Sequence, residues 1–338
     1  AISSWDNYAP TPLIRLNKLN DELKFKNIYY KDEDKRFELK SFKALGGAFA
    51  VYKIASEKKN ITVSTATAGN HGRSVAWGAQ RLGLKCKIFI SEFVSESRAE
   101  AMRNLDAEVI RVKGNYDNSL KECIKQSNAN NWEIVQDVSW EGYKEVPKLI
   151  MAGYTIMVKE ILDEINSNSI THVFLQAGVG GMAAAMVAGF AKLSKNIPKF
   201  ITVEPENADC VFQSIKNNKP TTVDIKKETI MGGMSCGDVS SIAWEILKNS
   251  TNYCLTVPDE AISTTVAMLA EKHLSDEKII AGECAVPGII ALIGSFNNKE
   301  YLDKLELNEQ SNVLLFGCEG LTDNAMYQKL LNDGLQKI

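Results

Sequence analysis

The segment Ser41-Phe42-Lys43-Ala44-Leu45-Gly46-Gly47 sets one lysine among apolar neighbours, beside a glycine pair and at the mouth of a helical stretch. Burial disfavours the charged form of an amine, lowers its pKa and frees the nitrogen lone pair to condense with an aldehyde. Lys43 is therefore a candidate Schiff-base lysine. By itself the segment is weak evidence, because most lysines that flank apolar residues are solvated.

A second segment, Thr67-Ala68-Gly69-Asn70-His71-Gly72, lies between a short apolar run at 61–64 and a helical pattern that includes Val75, Ala76, Trp77, Ala79 and Leu82. This predicts a strand, a tight turn and a helix start. Glycines let backbone amides approach an anion, and Asn70 adds a side-chain donor, so a carboxylate or a phenolate oxygen suits the turn. The plainer alternative is a strand-to-helix turn capped by Asn.

A third segment runs from the apolar residues Val173, Phe174 and Leu175 through Gly178-Val179-Gly180-Gly181-Met182 into a helix of small residues. Exposed amides and the helix dipole at such a start hold phosphate. The same residues satisfy G-x-G-x-x-A, and Glu204 ends the next apolar run about where a ribose-binding acid belongs. A nicotinamide or flavin oxidoreductase is thus an open alternative at this segment.

Elements that position these residues alternate along the chain. Apolar runs at 27–30, 61–64, 86–90, 108–112 and 134–136 are interleaved with helical stretches at 48–56, 74–82, 97–105 and 119–127. A second series has strands at 171–175, 200–203 and 313–317 and helices at 148–166 and 261–273. Such alternation predicts parallel sheets covered by helices, an α/β architecture. At 338 residues, two domains are expected.

Composition narrows the function classes. A net charge of -3 gives no electrostatic reason for a nucleic acid or an anionic membrane as partner. No apolar run spans a bilayer, and residues 1–8 are neither basic nor apolar enough for a signal peptide, so a cytoplasmic location is expected. Seven scattered cysteines without a C-x-x-C pair read as reduced thiols, and three histidines argue against a histidine-rich metal centre.

Taken in order, SFKALGGAFA, TAGNHGRSVAW and AGVGGM resemble the fold-type II pyridoxal phosphate enzymes, a family that includes threonine and serine dehydratases, cysteine synthase and the tryptophan synthase β chain. Tyr8 to Leu13, Lys31-Asp32-Glu33 with Arg36-Phe37, Gln136 to Tyr143 and Gly233-Met234-Ser235-Cys236-Gly237 narrow the resemblance to the diaminopropionate ammonia-lyases, over about Tyr8 to Gly320. The resemblance implies a large domain from 1–46 and 146–338, a small inserted domain at 47–145, pyridoxal 5'-phosphate in the cleft, a small amino-acid substrate and a homodimer.

It also assigns roles. Lys43 holds the cofactor and then serves as a base beside Cα, and Asp137 is a second acid/base group. Asn70, Gly178, Val179, Gly180, Gly181, Met182 and Cys318 contact the cofactor, Cys318 facing the pyridine nitrogen as a weak donor. Ala68, Gly69 and His71 line the substrate, and no metal is assigned. Gly282-Glu283-Cys284-Ala285 resembles a loop near the ring, although a loop glutamate is more often solvated. Asn115-Tyr116-Asp117 reads as a helix cap.

The expected reaction is α,β-elimination of ammonia from 2,3-diaminopropionate, giving pyruvate and ammonia. One departure bears on stereochemistry. The family loop reads Thr-Asp-Gly-Asn-His-Gly, its aspartate a base for the D-isomer, whereas this chain has Ala68, so a preference for the L-isomer is expected. The stretch between Lys43 and Ala68 is also shorter than in that subfamily. L-Serine or L-threonine dehydratase, cysteine desulfhydrase and β-replacing synthase are alternatives of the same fold, and a non-catalytic pyridoxal phosphate sensor is one of another class.

Overall fold

The computed structural model describes residues 1–165 and 169–338. Contacts divide the chain into two compact units, Ala1–Tyr8 with Ser41–Ile156 and Ala9–Lys40 with Met157–Ile338. The first reaches beyond the 47–145 limits expected for an insert. Lys43–Glu57 is one continuous helix that residue 46/47 cannot divide, and helix Glu145–Tyr154 packs against it, so residues on both sides of the expected borders fold with the insert.

Ten strands form two sheets among the described residues: β1 (Leu13–Arg15), β2 (Asn27–Asp32), β3 (Thr62–Ala66), β4 (Lys85–Ser91), β5 (Ala107–Val112), β6 (Glu133–Ile134), β7 (His172–Gln176), β8 (Lys199–Pro205), β9 (Tyr253–Val257) and β10 (Asn312–Gly317). The first unit holds β5-β4-β3-β6, all parallel. The second holds β1-β2-β10-β7-β8-β9, parallel except for the antiparallel β1. Central strands such as β7 and β10 are buried along their length, as parallel strands covered on both faces must be.

Differences from the sequence reading have local causes. The strand expected at 134–136 is the two-residue β6, and Gln136 extends its pairing through the side chain. Its Oε1 accepts the Ala66 amide at 3.0 Å and its Nε2 donates to the Ala66 carbonyl at 2.9 Å. The helix expected at 148–166 is two, Glu145–Tyr154 and Ile156–Glu164, parted at Thr155, whose hydroxyl donates to the Ala152 carbonyl at 2.7 Å. Position 166 lies outside the described residues. Apolar runs do not predict β1, which has three residues, or the half-exposed edge strand β9.

Register places the candidate residues. In the first unit, β3 and β6 pair as Val63 with Glu133 and Ser64 with Ile134. Continued, that register brings Thr67 and Asp137 off the sheet side by side. In the second unit β10 pairs β7 as Val313 with His172, which continued sets Cys318 beside Ala177, just ahead of the glycine turn. Both sheets thus deliver their candidate residues at the carboxyl ends of parallel strands, where open α/β sheets bind ligands.

Candidate active site

Lys43 is the first residue of helix Lys43–Glu57, and the glycine pair explains how neighbours reach it. A Cβ on Gly46 would lie 2.4 Å from the Tyr154 ring, and one on Gly47 would lie 2.5 Å from Ser74 Oγ. Helices Glu145–Tyr154 and Asn70–Arg81 can therefore close on the first turn of the lysine helix only where side chains are missing. Ser74 Oγ then donates to the Lys43 carbonyl at 2.6 Å and accepts the Ala48 amide at 3.0 Å.

The sequence reading expects a buried amine. Lys43 is instead partly exposed, with 23% of its side chain accessible, and ion-paired: its Nζ donates to Asp137 Oδ2 at 2.5 Å. The Phe42 and Tyr154 rings flank it, with centroids 5.3 and 5.9 Å from Nζ. Burial alone would push the Asp137 carboxyl up. His71 and the Lys43 ammonium outweigh that effect and hold it well below the usual carboxylate range. The arrangement joins a base and an acid in one pair.

Thr67 shapes the asparagine loop, its hydroxyl accepting the amides of Gly69 at 3.0 Å and Gly72 at 3.2 Å. Asn70 opens helix Asn70–Arg81 and Ala68 is exposed. His71 is buried, its Nε2 donates to the Val135 carbonyl at 2.8 Å, and its Nδ1 lies 3.7 Å from Asp137 Oδ2. A side chain singled out only for substrate contact thus sits beside the carboxylate, a proximity with no signal in the sequence because 66 residues separate the two.

In the second unit, Gly180 adopts φ +87° as the chain turns from β7 into helix Gly181–Leu193. Among the described residues, none of the backbone N–H groups of Gly178, Val179, Gly180, Gly181 and Met182 donates to a protein acceptor. Such a row of open donors at a helix start fits a phosphate. Gln176 ties the surroundings, donating to the Phe316 carbonyl at 2.5 Å and the Cys284 carbonyl at 3.0 Å. Cys318 is buried, and its S–H donates to the Cys284 carbonyl at 3.1 Å. Glu283, expected to be solvated, is buried as well. Glu319 lies beside that loop, its Oε1 accepting the Cys284 amide at 3.0 Å.

Glu204 decides against the dinucleotide alternative. It is fully buried at the end of β8 and accepts the amides of Val211 at 2.8 Å and Phe212 at 2.7 Å, capping helix Cys210–Lys216. Burial pushes its carboxyl up to about 8 despite those donors. An acid so placed has no oxygen to offer a ribose.

Comparison with known proteins agrees with these features. The family model described as "Pyridoxal-phosphate dependent enzyme" matches residues 5–319. The chain is 34% identical to the diaminopropionate ammonia-lyase of Escherichia coli (strain K12) over 352 residues, covering 97% of this chain and 88% of that protein. To the diaminopropionate ammonia-lyase of Salmonella typhimurium it is 35% identical over 361 residues, covering 97% and 89%. The crystal structure of the Escherichia coli enzyme in complex with an aminoacrylate-PLP azomethine reaction intermediate matches with a TM-score of 0.90 at 34% identity, over 98% of this chain and 89% of that one. The same enzyme in complex with D-serine matches with a TM-score of 0.91 at 33% identity, with the same coverage.

Proposed function

The chain belongs to the pyridoxal-phosphate-dependent enzymes and, within them, to the diaminopropionate ammonia-lyase family, and on that premise we propose that it eliminates ammonia from 2,3-diaminopropionate with preference for the L-isomer. The observation that carries this reading is the Lys43–Asp137 pair at 2.5 Å. An amine leaves only when protonated, so this substrate needs an acid as well as a base, and the pair supplies both. Ala68 offers no second base.

The residues fit the cofactor. The open amides of Gly178 to Met182 would hold its phosphate, Lys43 would anchor it through the side-chain amine, and Asn70 and Cys318 would contact its ring, the thiol leaving the Cys284 carbonyl to do so. When bound, pyridoxal 5'-phosphate supplies an electron sink for negative charge at Cα. Lys43 Nζ takes the Cα proton of the L-isomer. Asp137, itself ionised, relays to the departing β-nitrogen the proton that Lys43 releases before it can act as a base, and the amides of Gly69 and His71 orient the substrate carboxylate. The eliminated product hydrolyses to pyruvate and a second ammonia. The proposal includes a homodimer working in the cytoplasm; among the described residues no helix is long and apolar enough to cross a membrane.

A panel of L- and D-2,3-diaminopropionate, L-serine, L-threonine and L-cysteine, assayed for pyruvate and ammonia, tests the reading. The largest kcat/KM is expected for L-2,3-diaminopropionate. Brisk elimination from the hydroxy or thiol amino acids with none from diaminopropionate would move the chain to a dehydratase or desulfhydrase activity.

A further inference from the structure

Two nitrogen atoms converge on one carboxylate oxygen, for Asp137 Oδ2 lies 2.5 Å from Lys43 Nζ and 3.7 Å from His71 Nδ1. His71 is 4% exposed. Its Nε2 faces the Val135 carbonyl at 2.8 Å, and a carbonyl only accepts, so Nε2 carries the hydrogen and the tautomer is fixed. Among the described residues, Nδ1 is buried without a hydrogen-bond partner. Any proton the ring gains must therefore enter at Nδ1, in the direction of Asp137.

We propose that His71 is a positioning residue for Asp137, taking up a proton at Nδ1 when Lys43 surrenders its ammonium charge, so that the carboxylate exchanges one cationic partner for another. The proton balance is closed: the proton released by Lys43 passes through Asp137 Oδ2 to His71 Nδ1, and the charge of the three groups together is unchanged. The carboxylate then stays paired in a largely shielded place, with 14% of its side chain accessible, where a lone charge is costly. The neighbourhood favours this direction. Burial holds the imidazole pKa down, the Asp137 carboxylate pulls it up, and the Lys43 ammonium pushes it down. Removing the Lys43 charge lifts one opposing influence and leaves the carboxylate in place. The Tyr154 and Tyr143 phenols nearby are kept neutral by burial, the Tyr143 hydroxyl donating to the Ile134 carbonyl at 2.8 Å.

This inference rests on the proposed function only in giving Lys43 and Asp137 parts in the reaction, and its main test needs no turnover. Nitrogen-15 NMR of the histidine-labelled full-length chain freed of cofactor, in which Lys43 keeps its amine, follows His71 against just two other histidines, His172 and His273, with His71→Gln identifying its signals. His71 should titrate at higher pH in Lys43→Met than in the unmodified protein and at lower pH in Asp137→Asn. Lys43→Arg, which keeps the charge, should leave it in place, and Lys43→Ala substitutes should the Met variant not fold.

In kinetics, His71→Gln keeps an amide donor for the Val135 carbonyl but has no Nδ1. It should lower kcat roughly tenfold, less than loss of a direct acid or base, with KM little changed and one limb of the kcat–pH profile removed. Titration of His71 at one pH in every variant, or a His71→Gln enzyme with unchanged kcat and pH profile, would overturn the proposal. A His71 that shifts as stated in a protein inactive toward diaminopropionate would leave this inference standing and sink the substrate assignment alone.

Discussion

The Ser74 hydroxyl donates to the backbone carbonyl of Lys43 at 2.6 Å and accepts the Ala48 amide at 3.0 Å, so the helix that follows the asparagine loop fixes the first turn of the lysine helix. Ser74 is fully buried. Ser74→Ala removes both bonds and should lower stability by about 1–3 kcal/mol, two buried hydrogen bonds at about 0.5–1.5 kcal/mol each. Urea unfolding measures the loss, and faster hydrogen exchange at Ala48 would place it. An unchanged exchange rate there would contradict the assigned link.

How much of this was legible in the sequence depended on the range of the interactions. Strands β3, β4, β7, β8 and β10 follow from buried apolar runs, and Lys43 and the glycine turn stand out in local motifs, while Asp137 enters only through the family resemblance. The fold added what no local pattern encodes: His71 against Asp137, Gln136 completing a strand pair through its side chain, and Glu283 buried in a loop. Glu204 shows the opposite hazard. Its position fits a ribose-binding acid, yet its oxygens are spent on the amides of Val211 and Phe212.

A buried charge cluster holds the second unit. Arg36 Nη2 meets Glu160 Oε2 at 2.7 Å and its Nε meets Glu33 Oε2 at 2.8 Å, while Lys31 Nζ meets Glu160 Oε2 at 2.7 Å. Glu160→Gln leaves Arg36 and Lys31 undercompensated and should cost about 3–5 kcal/mol. Burial would push the Glu160 carboxyl up, but Arg36 and Lys31 draw it down to about 2. A lowered folded-state pKa means stability that is present above the ordinary value of 4.5 and lost as the pH falls toward about 2. Urea midpoints between neutral pH and pH 3 should therefore fall less steeply in the variant; parallel curves would remove Glu160 as the acid-sensitive group.

Gly180 holds φ +87°, and a Cβ there would lie 3.0 Å from Leu247 Cδ1 and 3.1 Å from Ala243 Cβ. Gly180→Ala pays a conformational cost of about 1–2 kcal/mol and shifts the amides proposed to face the phosphate. Cofactor affinity should drop roughly tenfold, the equivalent of about 1.4 kcal/mol, with circular dichroism unchanged. Native affinity in the folded variant would argue that the phosphate lies elsewhere.

The purified protein should be yellow and bleach on treatment with sodium borohydride. Peptide mapping should then find the reduced cofactor on Lys43, the lysine held against Asp137. A label on any other lysine would dismiss the central assignment.

Stereochemistry offers the sharpest test, because Ala68 is exposed and a larger side chain there meets no packing barrier. With Lys43 as the base for one face of Cα and a methyl group at position 68, the L-isomer should be consumed much faster than the D-isomer. A single placed base is worth roughly 10²–10⁴-fold, or about 3–5 kcal/mol of barrier. Ala68→Asp should raise the D-rate selectively. Arg98, whose Nη1 donates to the Ala68 carbonyl at 3.4 Å, would draw the new carboxylate toward itself, so adding Arg98→Gln should raise the D-rate further. Asp137→Asn should slow the L-reaction by the same 10²–10⁴-fold range that a direct proton donor supplies. Equal turnover of both isomers by the unmodified protein would show that position 68 does not set the preference, and would leave Asp137 as the group that reaches the second face.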